Sequence, residues 1–171
     1  MSLKPSVSKN DHIQGNQNAG LVIVEYGDYQ CPYCGAAYPV LKELMKEFGN
    51  GIGFVFRNFP LPEMHPYAKP AAMAAEAANR QGKFWEMHDA IYEHQQNLSE
   101  SFLMEVAEKL HLDMEQFKAD LQSRELAEKI DSDFESGVIS GVNGTPSFFI
   151  NGKKFNGGAT DLFELVRENT I

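Results

Sequence analysis

The chain has 171 residues, 43% of them hydrophobic and 23% charged, the profile of one globular domain with a core of its own. Its formal net charge is −9 and its cations lie scattered among acids, so a phosphate-backbone binder is excluded and nucleic acid is set aside as a partner. No apolar run is long enough to insert in a membrane, and two cysteines form one bridge at most, so a multi-disulfide scaffold is excluded as well.

The first residues, "MSLKPSVSKNDHIQGNQNAG", are polar and hold no hydrophobic stretch of the secretion-signal kind. On the sequence as it stands a cytoplasmic location is expected; the alternative is a periplasmic or other extracytoplasmic one, with an export signal removed. Residues 1–17 read as an N-terminal extension. "LVIVEY", residues 21–26, is a β-branched run of strand length with apolar residues in succession, as in a central strand covered on both faces. Next comes "CPYC", and then "AAYPVLKELMKEF", with Val40, Leu41, Leu44, Met45 and Phe48 at helical spacing and Pro39 inside. "GIGFVFRNF", residues 51–59, is a second strand, which completes a βαβ unit.

From there the pattern turns helical. "KPAAMAAEAANR" is alanine-rich, and "KFWEMHDAIYEHQ" carries Phe84, Met87, His88 and Ile91 on one stripe. Ser99 is placed to cap a helix with Phe102, Val106, Ala107 and Leu110 inward, and Asp113 with Gln116 to form a capping box over 114–121. Leu126, Ile130 and Phe134 mark one more helix. After Gly141 the strand signals return: "PSFFING" runs into an Asn-Gly turn, "KKF" starts the returning strand, and "TDLFELVREN" is a closing helix with Thr160 as its cap. The expected fold class is α/β, a central mixed sheet flanked by helices, built from 18–64 and 140–171 and interrupted by an all-helical insertion over 65–139.

Cys31 and Cys34 are where the chemistry points. With a helix starting at the motif they share one face a turn apart, a separation compatible with a disulfide. Pro32 suits the first turn because its missing N–H has no helical partner there. The unpaired amides of a helix start favour negative charge, so a Cys31 thiolate is stabilised and its pKa lowered. An exposed, readily ionised sulfur with a second one to resolve the mixed disulfide is what thiol–disulfide exchange requires. Two bland readings stand beside this one. A structural metal site needs four ligands, and none of His12, His65, His88, His94 and His111 falls at ligand spacing with the cysteines. A static bridge across so short a loop adds little stability. Neither metal nor any bound cofactor is expected. His65 reads as a surface or hinge histidine, His88 and His94 as ordinary helix residues, and Phe84, Trp85, Met87 and Ile91 as core of the insertion.

Four segments in order, "VEYGDYQCPYCGAAYPVLKEL", "FVFRNFPL" with the "HP" at 65–66, "AAEAANRQGKFWEMHDAIYEHQ" and "GVNGTPSFFINGK", resemble the DsbA-like branch of the thioredoxin superfamily over most of residues 18–171. The resemblance implies a thioredoxin fold with a helical insertion and a protein disulfide oxidoreductase acting on protein thiols and disulfides, with a redox partner protein or glutathione as a further partner. It implies that Cys31 attacks, that Cys34 resolves, that Pro146 is cis and sets the Thr145 backbone beside the cysteines, and that Glu25 lies beneath them as a proton relay; Glu25 on a solvated strand face is the alternative. Pro32 and Tyr33 set the redox poise. Tyr33 stands where DsbA carries histidine, which implies a less oxidising couple. The rival functions are a glutathione-dependent transferase or isomerase of related fold, and a binding or chaperone module whose bridge is structural.

Overall fold

The computed structural model describes residues 1–169; the last two of the expected 140–171 segment lie outside the described residues. In chain order the elements are β1 (His12–Gly15), β2 (Leu21–Gly27), α1 (Pro32–Phe48), β3 (Ile52–Asn58), α2 (Ala68–Asn79), α3 (Phe84–Glu93), a 3-10 turn (Gln95–Asn97), α4 (Glu100–Lys109), α5 (Met114–Asp120), α6 (Arg124–Ile139), β4 (Ser147–Ile150), β5 (Lys153–Phe155) and α7 (Ala159–Asn169). The strands form one mixed sheet of order β1-β3-β2-β4-β5. β2 and β3 run parallel across α1, and the other three pairings are antiparallel. The architecture is the α/β sheet with an all-helical insertion that the sequence leads one to expect.

Both faces of the sheet are covered, which explains the unbroken apolar run of β2. On one face Ile23, Phe54 and Phe148 pack on Leu41 and Leu44 of α1 and on Leu162 and Val166 of α7. On the other, Val24, Tyr26, Val55 and Phe149 meet Phe59, which stacks on Phe134 of α6 at 4.3 Å between centroids. The insertion has a third core around Met87, Ile91, Phe117 and Ile130, and it is continuous with Tyr29, Cys34, Tyr38 and Phe56. The start of α1 is therefore packed by the insertion, not by the sheet alone.

Local signals act where the chain needs them. Asn151 and Gly152 both have positive φ, 47° and 79°, the backbone a two-residue hairpin turn demands. Ser99 Oγ accepts from the Phe102 amide at 3.1 Å. Three expectations need correction. Asp113 accepts from the Gln116 amide, but the Gln116 side chain donates to Asp120 instead of reaching back, because a buried carboxylate one turn on is the better acceptor. α7 begins at Ala159, ahead of Thr160, and Asp161 accepts the Gly158 amide at that end. The stretch 1–17 is more than an extension. Its residues His12–Gly15 supply the edge strand β1, anchored by the buried ion pair from Asp11 to Arg57 and by the hydrogen bond at 2.9 Å between His12 and Glu76.

Candidate active site

β2 ends at Gly27, and the chain turns through Asp28 into α1. Cys31 is the N-cap residue, with extended backbone (φ −66°, ψ 123°) and Pro32 next to it at the helix start. Cys34 falls inside the first turn and is fully buried, while Tyr33 points outward, 76% exposed. The loop before β4, the strand paired with β2, brings in Thr145 and Pro146, joined by a cis peptide bond. The Cys31 Sγ lies 3.6 Å from the Thr145 carbonyl oxygen, to which the thiol donates. Glu25 sits on the central strand, 2% exposed and paired with Phe56 on one side and Phe148 on the other. The solvated-strand reading of Glu25 is therefore set aside.

The sulfur does not stand on open surface as the sequence reading expects. Cys31 is 4% exposed. As the N-cap residue it turns its side chain toward the cis loop, where it is covered from one side.

The two thiols are driven apart electrostatically. A hydrogen bond from the Cys34 thiol, with help from the Cys34 and Tyr33 amides, outweighs burial and lowers the Cys31 pKa to about 5. Burial, the hydrogen bond to Cys31 and the negative charge of Glu25 push Cys34 far above the ordinary thiol range. Burial first and the Cys31 charge second raise Glu25 to about 8. Among the described residues no group of three or more His, Cys, Asp or Glu is arranged to hold a metal ion.

Sequence reasoning missed the supports of this corner. Asp28, 1% exposed, accepts from the Gln30 and Cys31 amides through one carboxylate oxygen, at 2.8 and 3.2 Å. Its other oxygen accepts from the Leu61 amide and pairs with the His65 ring at 2.8 Å. His65 is thus tied to the turn below the cysteines and is neither a free surface residue nor a hinge. Gln95, from the insertion's 3-10 turn, donates to the Tyr29 and Cys31 carbonyls at 2.9 and 2.7 Å. His88 is buried against Tyr29, whose hydroxyl lies 2.9 Å from its Nδ1, and burial lowers its pKa to about 3. An acid three residues before a cysteine at a strand end was a readable signal for Asp28; Gln95, 64 positions from Cys31, had none.

A family model described as thioredoxin matches residues 7–164. The Na(+)/H(+) antiporter NhaA 1 of Salinispora arenicola (strain CNS-205) is 47% identical over 147 residues, which are 86% of this chain and 22% of that protein. The protein of the same name from Mycobacterium sp. (strain KMS) is 39% identical over 167 residues, 96% of this chain and 27% of that one. The chain spans about a quarter of the length of these curated relatives, and among its described residues no helix is long and apolar enough to cross a membrane. A thioredoxin-like oxidoreductase from Silicibacter pomeroyi DSS-3 superposes with a TM-score of 0.77 at 28% identity, covering 95% of this chain and 93% of that one. The thiol-disulfide exchange protein alpha-DsbA2 of Wolbachia pipientis gives 0.83 at 23% identity over 95% and 86%, and BdbD of Bacillus subtilis 0.82 at 23% over 99% and 95%. The last two likenesses are of fold alone.

Proposed function

The chain belongs to the thioredoxin family, and from that premise we propose that it is a DsbA-like protein disulfide oxidoreductase that exchanges disulfides with protein substrates through Cys31 and Cys34. The single observation that carries this reading is geometric: two cysteines one turn apart at the start of α1, with the Cys31 Sγ 3.6 Å from the carbonyl oxygen of Thr145, whose peptide bond to Pro146 is cis. The opposed displacement of the two thiols, Cys31 lowered and Cys34 raised, agrees with it.

In the reductive direction the Cys31 thiolate attacks one sulfur of a substrate disulfide. An S–S bond forms between enzyme and substrate, and the other substrate sulfur leaves as thiolate. Cys34 then loses its proton to Glu25 and attacks the Cys31 sulfur, which releases the second substrate thiolate and leaves the Cys31–Cys34 disulfide. The substrate disulfide gains two electrons and the cysteine pair loses two. The oxidative direction is the same path reversed. A carboxyl with a pKa of about 8 both takes and returns a proton near neutrality. The substrate strand lies along the Thr145 backbone, where an extended peptide finds main-chain partners.

Two variants test this. Cys31→Ser loses disulfide exchange with a model protein substrate. Cys34→Ser still attacks but does not resolve, so it accumulates a mixed disulfide visible on a non-reducing gel. Full exchange activity in Cys31→Ser would overturn the reading and favour a binding module.

A further inference from the structure

The peptide of Cys31 is gripped from two sides. Its N–H is held by Asp28, at 3.2 Å from the carboxylate and 3.1 Å from the main-chain carbonyl. Its C=O receives the Gln95 amide at 2.7 Å, and the same Gln95 nitrogen spans to the Tyr29 C=O at 2.9 Å. A primary amide has two N–H donors on one nitrogen, so one side chain satisfies both carbonyls. Gln95 belongs to the insertion and Asp28 to the turn between β2 and α1, so Cys31 is fixed between the two parts of the fold.

A second, independent observation shows how closely Gln95 is fitted. Gly35, one turn along α1 and donor to the Cys31 carbonyl at 3.0 Å, can carry a side chain only if the Gln95 amide moves aside. A Cβ there would lie 2.1 Å from Gln95 Oε1 and 2.8 Å from its Cδ. Glycine in a helix interior is unfavourable by about 1 kcal/mol relative to alanine, and here it leaves the path along which Gln95 reaches the two carbonyls.

The groups that hold the Cys31 pKa down are the Cys34 thiol first, then the contact with Thr145, then the amides of Cys34 and Tyr33. They reach the sulfur only while Cys31 keeps its extended N-cap backbone; a rotation there swings the sulfur away from the helix start. Cys31 makes no side-chain cap bond to α1; its thiol reaches the Thr145 carbonyl instead.

We propose that Gln95 and Asp28 are positioning residues that lock Cys31 in its N-cap geometry, and that through Gln95 the helical insertion sets how stable the thiolate is and hence the redox poise. This rests on the exchange reading above.

The test is the thiolate titration of the reduced full chain, followed by ultraviolet absorbance, together with its equilibrium against graded glutathione buffers. Gln95→Ala is expected to raise the Cys31 pKa by about one unit, a roughly tenfold smaller thiolate fraction at moderately acidic pH, with a parallel fall in oxidising power. Gly35→Ala is expected to shift both in the same direction while leaving Gln95 in the sequence, and the double variant to shift no further than Gln95→Ala, because both act on one contact. The neighbouring Gln96→Ala is expected to titrate like the parent. Gln95→Ala and Gly35→Ala proteins that fold and titrate like the parent would overturn the inference and leave the exchange reading intact. A parent chain with neither a depressed thiolate pKa nor any exchange with glutathione would overturn both. Should the variants fail to fold, amide hydrogen exchange in the parent decides: a Cys31 amide protected above those of the exposed loops is expected, and one exchanging as fast as a free loop would overturn the clamp.

Discussion

Glu25 is an ionisable carboxyl inside the sheet, and its protonation has a thermodynamic sign. Its pKa is raised from 4.5 to about 8 by burial and by the Cys31 charge, so the folded state binds the proton more tightly than the unfolded chain. Its contribution is therefore fully present below about pH 4.5 and is lost as pH rises toward 8. At 1.36 kcal/mol per unit that loss is about 3 kcal/mol by about pH 7. Glu25→Gln keeps the shape and removes the charge. Relative to the parent, its stability from urea unfolding is expected to be nearly unchanged near pH 4 and roughly 3 kcal/mol higher near pH 7; parallel pH curves for the two proteins would contradict the assignment. In exchange assays the same variant is expected to resolve mixed disulfides ~100-fold more slowly, the loss of a positioned general base. The burial of this residue was not readable from β2, since a strand covered on both faces shows no alternation. Cys31 and Cys34 were readable at once, because spacing, the flanking proline and the strand-to-helix context all depend on neighbours in sequence.

At the scale of elements, strong periodicity was legible and long-range polar pairing was not. α1, α3 and α6 announce themselves by apolar stripes, and the hairpin from β4 to β5 by Asn151-Gly152. β1 did not, because "HIQG" is short and polar. What makes it a strand lies elsewhere: Arg57 of β3 and Glu76 of α2 draw in Asp11 and His12. Arg57 is 3% exposed and bonded to Asp11 through two nitrogens, at 2.8 and 3.0 Å, with Tyr26 and the Pro5 and Ser6 carbonyls around it. Removing one member of such a pair leaves a buried charge without its counterion. Asp11→Ala is accordingly expected to cost about 3–5 kcal/mol, read as a lower denaturant midpoint, and to expose β1 to faster hydrogen exchange. A loss under about 1 kcal/mol would mean that the pair is solvated. His65 and Thr160 show the opposite error, where a local rule assigned a surface or capping role and tertiary partners decided otherwise.

At the scale of the molecule, the site is a meeting of distant segments: the end of β2, the start of α1, the loop at 61–65, the insertion's 3-10 turn and the loop before β4. The sequence carries the fold class because periodicities repeat over many residues, and it carries the cysteine pair because the pair is local. The covering of Cys31 needs the loop before β4, and the grip of Gln95 exists only after the insertion has docked on α1. One consequence reaches the whole protein. A thiolate whose pKa is lowered from 9.0 to about 5 stabilises the reduced fold in full above about pH 9, and this contribution fades as pH falls through 5; near pH 7 it amounts to about 3 kcal/mol. The central claim is that this sulfur is ionised at neutrality, and the most direct measurement is its absorbance titration in the reduced protein, with Cys31→Ser as the blank. A single transition centred near pH 5, absent from the blank, is the predicted result. A transition near pH 9, where an ordinary thiol titrates, would contradict the account.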